Sequence, residues 1–426
     1  MASDRRHVII SADCHGGADL TQYRDYLDPA FADDFDRWAA EFTIPYADMR
    51  GADASRNWDS ARRAAELESD GVAAELIYPN TVPPFFPTSS LASSQGSVAS
   101  AADLRRRWAG LRAHNRWLAE FCQALPGRRA GVFQIMLHDI DAAVAEIRWA
   151  RDAGLTGGVL LPGAPPGAGV PPIYHHAYYD QLWSVCEELG VPVNCHGGGA
   201  SPRTGDTAVD DMFFLVDLRW WDISRFRSLI LGGVLDRHPG LQVVFTESGI
   251  GWIPRELRKL DQLFDSMRSA GGSSAVAYDA ASAIDDLTLR PSEYWHRQCH
   301  AGATFIHPAE MAIRDQVGVG KILWGSDYPH LEASYPFSRA AVRNSFQGVP
   351  VADAELMLAG NAARMYGFDT DRLRRVAEQI GPTHDEVSAG IDLTTLPPEA
   401  VGCPAFAGLM PGSARVRMGD NRGPGK

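Results

Sequence analysis

The chain has 426 residues, 45% of them hydrophobic and 22% charged, with 53 acidic against 40 basic side chains and a formal net charge of -13. These values exclude wholesale disorder, collagen-like repeats and a disulfide-dense miniprotein, and the acidic surplus argues against a nucleic-acid partner. The length permits two or three domains, or one large α/β barrel with insertions.

Taken from the N-terminus, the pattern predicts a strand over His7–Cys14, a long stretch from Gly16 to Ser69, and a second strand over Val72–Tyr78. A helix follows over Asp103–Ala124, where Arg105, Arg106, Arg107, Arg112 and Arg116 fall at helical spacing and read as a solvated face. Strand Ala130–Leu137, helix Asp139–Ala153, strand Gly158–Leu161, helix Tyr178–Leu189 and strand Val191–Cys195 continue the alternation. After a stretch from Ala200 to Arg219 come helix Trp221–Arg237, strand Leu241–Thr246 and helix Pro254–Met267. A stretch from Ala270 to Tyr294, which includes Ala-rich Ser273–Ala283, precedes strand Arg297–Thr304, helix Pro308–Val317, strand Ile322–Gly325 and helix Pro336–Asn344.

Eight strands alternating with helices predict an α/β fold of the TIM (β/α)8 barrel type, with insertions in the βα loops and an extended C-terminal tail. Residues 1–368 are expected to form one barrel with terminal helices, and residues 369–426 a wrapping tail with no core of its own. The first two long stretches are placed to cap the mouth, and the tail and insertions offer surfaces for a homodimer. The six cysteines form no CxxC pair, so neither a thiolate zinc site nor a disulfide framework is indicated. With no apolar run near the roughly 18 residues of a membrane span and no signal-peptide core, the expectation is a soluble, cytoplasmic protein with no membrane partner.

In such a barrel, chemistry comes from the C-terminal ends of different strands. Asp13 and His15, two apart, should share one face of the first strand while Cys14 points away. His196 ends the fifth strand before Gly197-Gly198-Gly199, Glu247 ends the sixth, and Asp327 ends the eighth. Two imidazoles and two carboxylates suit a divalent transition metal, Zn, Mn or Fe, as one or two ions. Taken singly, each residue has a plainer reading as a structural hydrogen-bonding group; their joint occurrence at three strand ends favours the metal. Glu247 is open between a bridging ligand, a general base and a carboxylate that orients a ligating histidine. His330 overhangs the mouth and could contact substrate or shuttle a proton. His238 falls at the barrel bottom, where stability is the default, and His175 and His176 read as a helix start. Trp220, Trp221, Phe85 and Phe86 divide between pocket lining and core, and Arg203 and Arg219 are candidate anchors for a substrate anion.

The ordered set Ser11-Ala12-Asp13-Cys14-His15, Leu182-Trp183 with Glu188 through Val193 leading to His196, Asp236-Arg237-His238-Pro239 before Glu247-Ser248-Gly249, Trp324 through His330, and Gly360 through Gly367 resembles the amidohydrolase superfamily. It is most similar to the branch that includes aminocarboxymuconate-semialdehyde decarboxylase and resorcylate decarboxylase. The resemblance implies a metal-dependent barrel enzyme acting on a small molecule, with Asp13, His15, His196 and Asp327 as ligands. Those decarboxylases carry a catalytic histidine where Glu247 stands, which shifts the expectation toward hydrolysis of an ester, thioester or amide carbonyl, with Asp327 as the proton acceptor and Glu247 and His330 assisting. Decarboxylation or hydration of an aromatic or unsaturated acid is the alternative, and an inactive barrel serving as a binding protein the reading of another class.

Overall fold

A computed structural model of the chain describes residues 5–44, 49–87, 98–164, 169–171, 174–198, 205, 207–269 and 284–410. Its strands are β1 (Ile10–Gly16), β2 (Ala74–Pro79), β3 (Arg129–Gly131), β4 (Phe133–Gln134), β5 (Val159–Leu160), β6 (Val193–His196), β7 (Val243–Thr246), β8 (Cys299–Ala303) and β9 (Ile322–Trp324). All pairings are parallel, in the orders β1-β2-β3 and β4-β5-β6-β7-β8-β9.

The two ladders meet across one residue. Val132 N–H donates to the Ile77 carbonyl at 2.9 Å while Phe133 N–H donates to the Gly158 carbonyl at 3.0 Å, so the third strand passes its pairing from β2 to β5 within a single step. The continuous strand expected over Ala130–Leu137 is therefore two short segments. At the other seam, Cys14 bridges Tyr328 in parallel, His15 N–H donates to the Tyr328 carbonyl at 2.7 Å, and Asp327 N–H donates to the Asp13 carbonyl at 2.8 Å. These contacts carry the chain after β9 alongside β1, and the fold is a TIM barrel.

Inside it, Ile10, Ala12, Leu76, Tyr78, Val132, Leu160, Val244 and Leu323 form one buried cluster, plugged from below by Ala362 and Tyr366 of helix Asn361–Tyr366. Outside it, Ile9, Cys14, Ile77, Phe133, Val193 and Phe245 pack with the surrounding helices in a second cluster. β1 departs from strict alternation, with a register shift between Ser11 and Cys14. This irregularity lets Ile10 and Ala12 face the interior below while Asp13 and His15 face it above.

The helices around the sheet are closed by local signals. Ser100 caps Ala101–Gln123, Asp139 caps Ile140–Asp152, and Gly190, at φ 61°, ends Asp180–Leu189. Two expectations change. The helix anticipated over Trp221–Arg237 instead runs from Ala208 to Leu231, opened by Thr207 and stopped by Gly232-Gly233, with Val234–Arg237 a separate turn. The helix anticipated over Pro308–Val317 splits into Pro308–Met311 and Arg314–Val317. The arginine face of Ala101–Gln123 is also less solvated than its spacing suggested: Arg112 and Arg116 pair with buried Glu146, and Arg116 lies over the Trp149 ring at 3.5 Å.

After Phe368 the chain forms helices Thr370–Ile380 and His384–Ala389. They tie to the N-terminus through His7 N–H to the Pro382 carbonyl and His384 N–H to the Arg5 carbonyl, both 2.9 Å. Turn Pro404–Phe406 then buries Phe406 near Ala340 and Ala341. Ser273–Ala283, Arg203, the Arg219 side chain and residues 411–426 lie outside the described residues.

Candidate metal centre

β1 delivers Asp13 and His15, β6 delivers His196, and the turns after β7 and β9 deliver Glu247 and Asp327. Asp13, His15, His196 and Asp327 are all at most 1% exposed. His15 Nε2 lies 3.2 Å from Asp13 Oδ1 and 3.0 Å from Asp327 Oδ1, and His196 Nε2 lies 3.3 Å from the same Asp13 oxygen. One ligand atom each from Asp13, His15 and His196 falls within 4.8 Å of the others, and so does one each from His15, Asp327 and His330. The residues singled out in the sequence thus converge at one end of the barrel.

Glycine permits the convergence. A Cβ on Gly325 would stand 2.4 Å from the Asp13 Cβ, and one on Gly302 would stand 2.4 Å from Thr246 Oγ1. Gly197 likewise lets its loop pass against Glu247, whose carboxylate is 3.2 Å from a Cβ placed there. Among the described residues only Phe85, Glu247 and Asp327 combine a side chain with positive φ, at 69°, 61° and 63°. Two of these three carry the site, the kind of backbone strain that surrounding structure must hold in place. Here Glu247 N–H is held by the Gly302 carbonyl at 3.0 Å and Asp327 N–H by that of Asp13.

Three carboxylates within a buried pocket repel one another and lack water, so the arrangement requires positive charge. Burial works to raise the Asp13 pKa, but the His15 and His196 imidazoles beside it outweigh that effect and hold the carboxyl well below the usual range. Burial likewise opposes, and His330 and His15 overcome, the ionisation of Asp327, whose pKa is also lowered. Burial depresses the His196 and His330 imidazoles, yet the carboxylates around them lift these to about 9 and about 10. Glu247, desolvated and facing Asp327 and Asp13, is pushed well above the carboxylate range.

The donor set fits a divalent metal on geometric grounds. Both ring nitrogens of His15 and the Oδ1 of Asp327 are buried without a hydrogen-bond partner, although His15 Nε2 lies 3.0 Å from that oxygen: the groups are close but not aligned to bond each other. Mixed imidazole and carboxylate donors suit Zn, Mn or Fe.

Several supporting residues were not visible in the sequence. Thr304 Oγ1 donates to Asp13 Oδ2 at 2.8 Å. Asn80, buried, accepts from His330 Nε2 at 3.1 Å and donates to Asn57 at 2.8 Å, while the other His330 nitrogen sits 2.8 Å from Asp327 Oδ1 and the ring stacks on His15 at 3.8 Å. Fully buried Arg63, bound to Glu75, donates to the His15 carbonyl at 2.6 Å, and Arg225 does the same for the His196 carbonyl at 2.6 Å. Strand alternation could locate ligands but not these partners, which lie far away in sequence.

Of the remaining candidates, Glu247 borders the cluster and the others fall elsewhere. Glu247 Oε2 lies 3.2 Å from His196 Nδ1, with its side chain 29% exposed toward the mouth. His238 binds Glu187 at 2.9 Å beneath the barrel, and His176 caps the turn Ala177–Tyr179. Phe85 packs with Phe31, Phe35 and Trp38, Phe86 is buried, and Trp220 is half exposed on the long helix, meeting Trp221 edge-on at 4.8 Å.

A parallel barrel with a buried histidine and aspartate cluster at its C-terminal mouth defines a TIM-barrel protein with a candidate metal centre. Residues 13–368 match the family described as Amidohydrolase, and the chain belongs to that family. It is 26% identical over 281 residues, 63% of this chain and 78% of the relative, to gamma-resorcylate decarboxylase of Rhodococcus jostii. Its fold is similar to that of an amidohydrolase from Mycobacterium avium subsp. paratuberculosis (TM-score 0.63, 20% identity, 86% of this chain and 100% of the other). It is also similar to 5-carboxyvanillate decarboxylase of Novosphingobium aromaticivorans, solved with manganese and 4-hydroxy-3-methoxy-5-nitrobenzoic acid (TM-score 0.59, 16% identity, 85% and 96%). Among the described residues, no helix is long and apolar enough to cross a membrane.

Proposed function

We propose that this protein is a divalent-metal-dependent decarboxylase of a small hydroxylated aromatic acid. The observation that carries this reading is the similarity to gamma-resorcylate decarboxylase, and it reverses the order suggested by the sequence, where hydrolysis came first. Asp13, His15, His196 and Asp327 would hold the ion. When bound, such an ion would supply the positive charge that offsets the substrate's carboxylate.

This chain's own residues would do the rest. As the bond between ring and carboxylate breaks, its electron pair stays on the ring carbon, which must take a proton while carbon dioxide leaves. Asp327, paired with His330, and Glu247, beside His196, are the groups at the mouth able to hold or move that proton. Asn80 fixes the His330 ring and Thr304 fixes the Asp13 carboxylate, so both are positioning residues.

Hydrolysis of an ester, thioester or amide remains a second reading, favoured by the carboxylate of Glu247 in place of a histidine. In that case Asp327 takes the proton from water and passes it to the leaving group. Manganese-loaded protein given 2,6-dihydroxybenzoate in deuterated water separates the two. Carbon dioxide release with deuterium at the vacated ring carbon, abolished in Asp327→Asn, is the expected result. Turnover of esters with incorporation of labelled water oxygen, and none of aromatic acids, would replace decarboxylation with hydrolysis.

A further inference from the structure

The end of the barrel opposite the metal centre contains a second cavity, of about 290 Å³, beneath β6, β7 and β8. Val191, Pro192 and Met365 supply apolar walls, and Gln242, His300 and Arg364 supply polar groups. His300 is only 8% exposed, and its Nδ1 has no hydrogen-bond partner. The charges that act on His300 are those of Lys321 and Arg364, and Lys321 in turn feels Arg364 and the Cys299 thiol; no carboxylate is among them. The nearby acid, Glu187, is taken up by the Gly240 N–H at 2.7 Å and by His238 at 2.9 Å.

Arg364 and His300 line this cavity with no carboxylate among its walls, and Lys321 is near enough to act on His300, an unexpected cluster in a chain of net charge -13. Such a cluster repels itself and is relieved by an anion. We propose that this cavity binds a small organic carboxylate, held by Arg364 and His300 with its apolar body against Val191, Pro192 and Met365. A guanidinium matches a carboxylate through two parallel hydrogen bonds, and the apolar walls select an organic acid over an inorganic oxyanion. The volume suits a molecule of about one ring, near the lower end of small-ligand pockets. The site is independent of the reading given to the metal centre, which lies at the other end of the strands.

Burial and the two neighbouring cations hold His300 down to about 3, so at neutral pH the ring is uncharged and reports a bound carboxylate through its resonances. The test uses the full chain carrying Asp327→Asn, which disables the metal centre, with benzoate as probe and the His300 ring followed by NMR. Benzoate added at neutral pH should shift the His300 ring resonances saturably as its carboxylate meets the unpartnered Nδ1. Arg364→Gln and Lys321→Gln, both at solvent-accessible positions, should each weaken benzoate binding about tenfold while leaving thermal stability unchanged. An unmoved His300 at tens of millimolar benzoate, or equal binding by Arg364→Gln, would overturn the proposal. So would inorganic phosphate binding as tightly as benzoate. If Arg364→Gln fails to fold, the His300 resonances and Lys321→Gln still decide.

Discussion

At the scale of single residues, the candidate metal centre is held together by groups outside the buried cluster of Asp13, His15, His196 and Asp327. Thr304 fixes one oxygen of Asp13 and leaves the other directed at His15 and His196. Thr304→Val keeps the shape and removes the hydroxyl, so metal affinity should fall about tenfold with the fold intact, as read by metal titration of the purified protein. Glu247 stores strain in its positive φ of 61°. Glu247→Gly should therefore exceed Glu247→Ala in stability by about 1 kcal/mol in denaturant melts, since both lack the carboxylate and only glycine adopts that backbone freely. The candidate ligands were legible because their chemistry ends predicted strands. Thr304, Asn80, Arg63 and Arg225 were not, because a hydroxyl, an amide or a guanidinium has no periodic signature and their partners lie across the barrel. The raised φ at Glu247 and Asp327 was equally hidden, since turn conformations of this kind are usually read from glycine.

At the scale of elements, the boundary errors have a common cause. Val209, Met212, Phe213, Val216 and Trp220 of the long helix are each more than half exposed, so its first half has no buried apolar stripe among the described residues. Periodicity could locate only the second half, from Trp221 onward, where Phe226, Leu229 and Ile230 enter the core. The third strand was overextended because Ile135, Met136 and Leu137 are buried like strand residues but lie beyond the end of β4 at Gln134. Where the N-terminal segment meets the first helices after Phe368, His7 and His384 lie 4.3 Å apart, and burial followed by the His384 charge lowers the His7 pKa to about 4. A histidine held neutral in the folded state favours folding above its unfolded pKa of about 6.5 and loses that advantage as pH falls toward 4. Stability measured by urea unfolding should therefore decline between pH 6.5 and 4, and the decline should be shallower in His7→Gln. His114, lowered to about 3 by burial alone, extends the same loss to lower pH.

At the scale of the whole molecule, the chain's two ends stabilise one another. Leu373 and Ala377 of helix Thr370–Ile380 are at most 1% exposed and join the cluster that fills the barrel interior. A chain truncated after Phe368 should lose at least about 3 kcal/mol of stability, from exposed apolar surface and from the unpaired backbone of Arg5 and His7, as measured by thermal melting. The alternation of strand and helix made the barrel legible, because a parallel sheet needs a crossover between strands and the sequence repeats that rhythm. The hand-over at Val132 and the seam at Tyr328 were not, since they depend on which strand happens to stand beside which. One further property follows from the packing. All six cysteines are buried and none is in a disulfide, and burial pushes the thiols of Cys14, Cys122 and Cys186 to about 12 and that of Cys403 to about 11. Alkylating reagents meet neither thiolate nor access in the native protein, so each sulfur is modified only when its surroundings open. The cysteines thus act as internal clocks, spread from the first barrel strand to the turn at Pro404–Phe406, whose labelling order would record the sequence in which the protein comes apart.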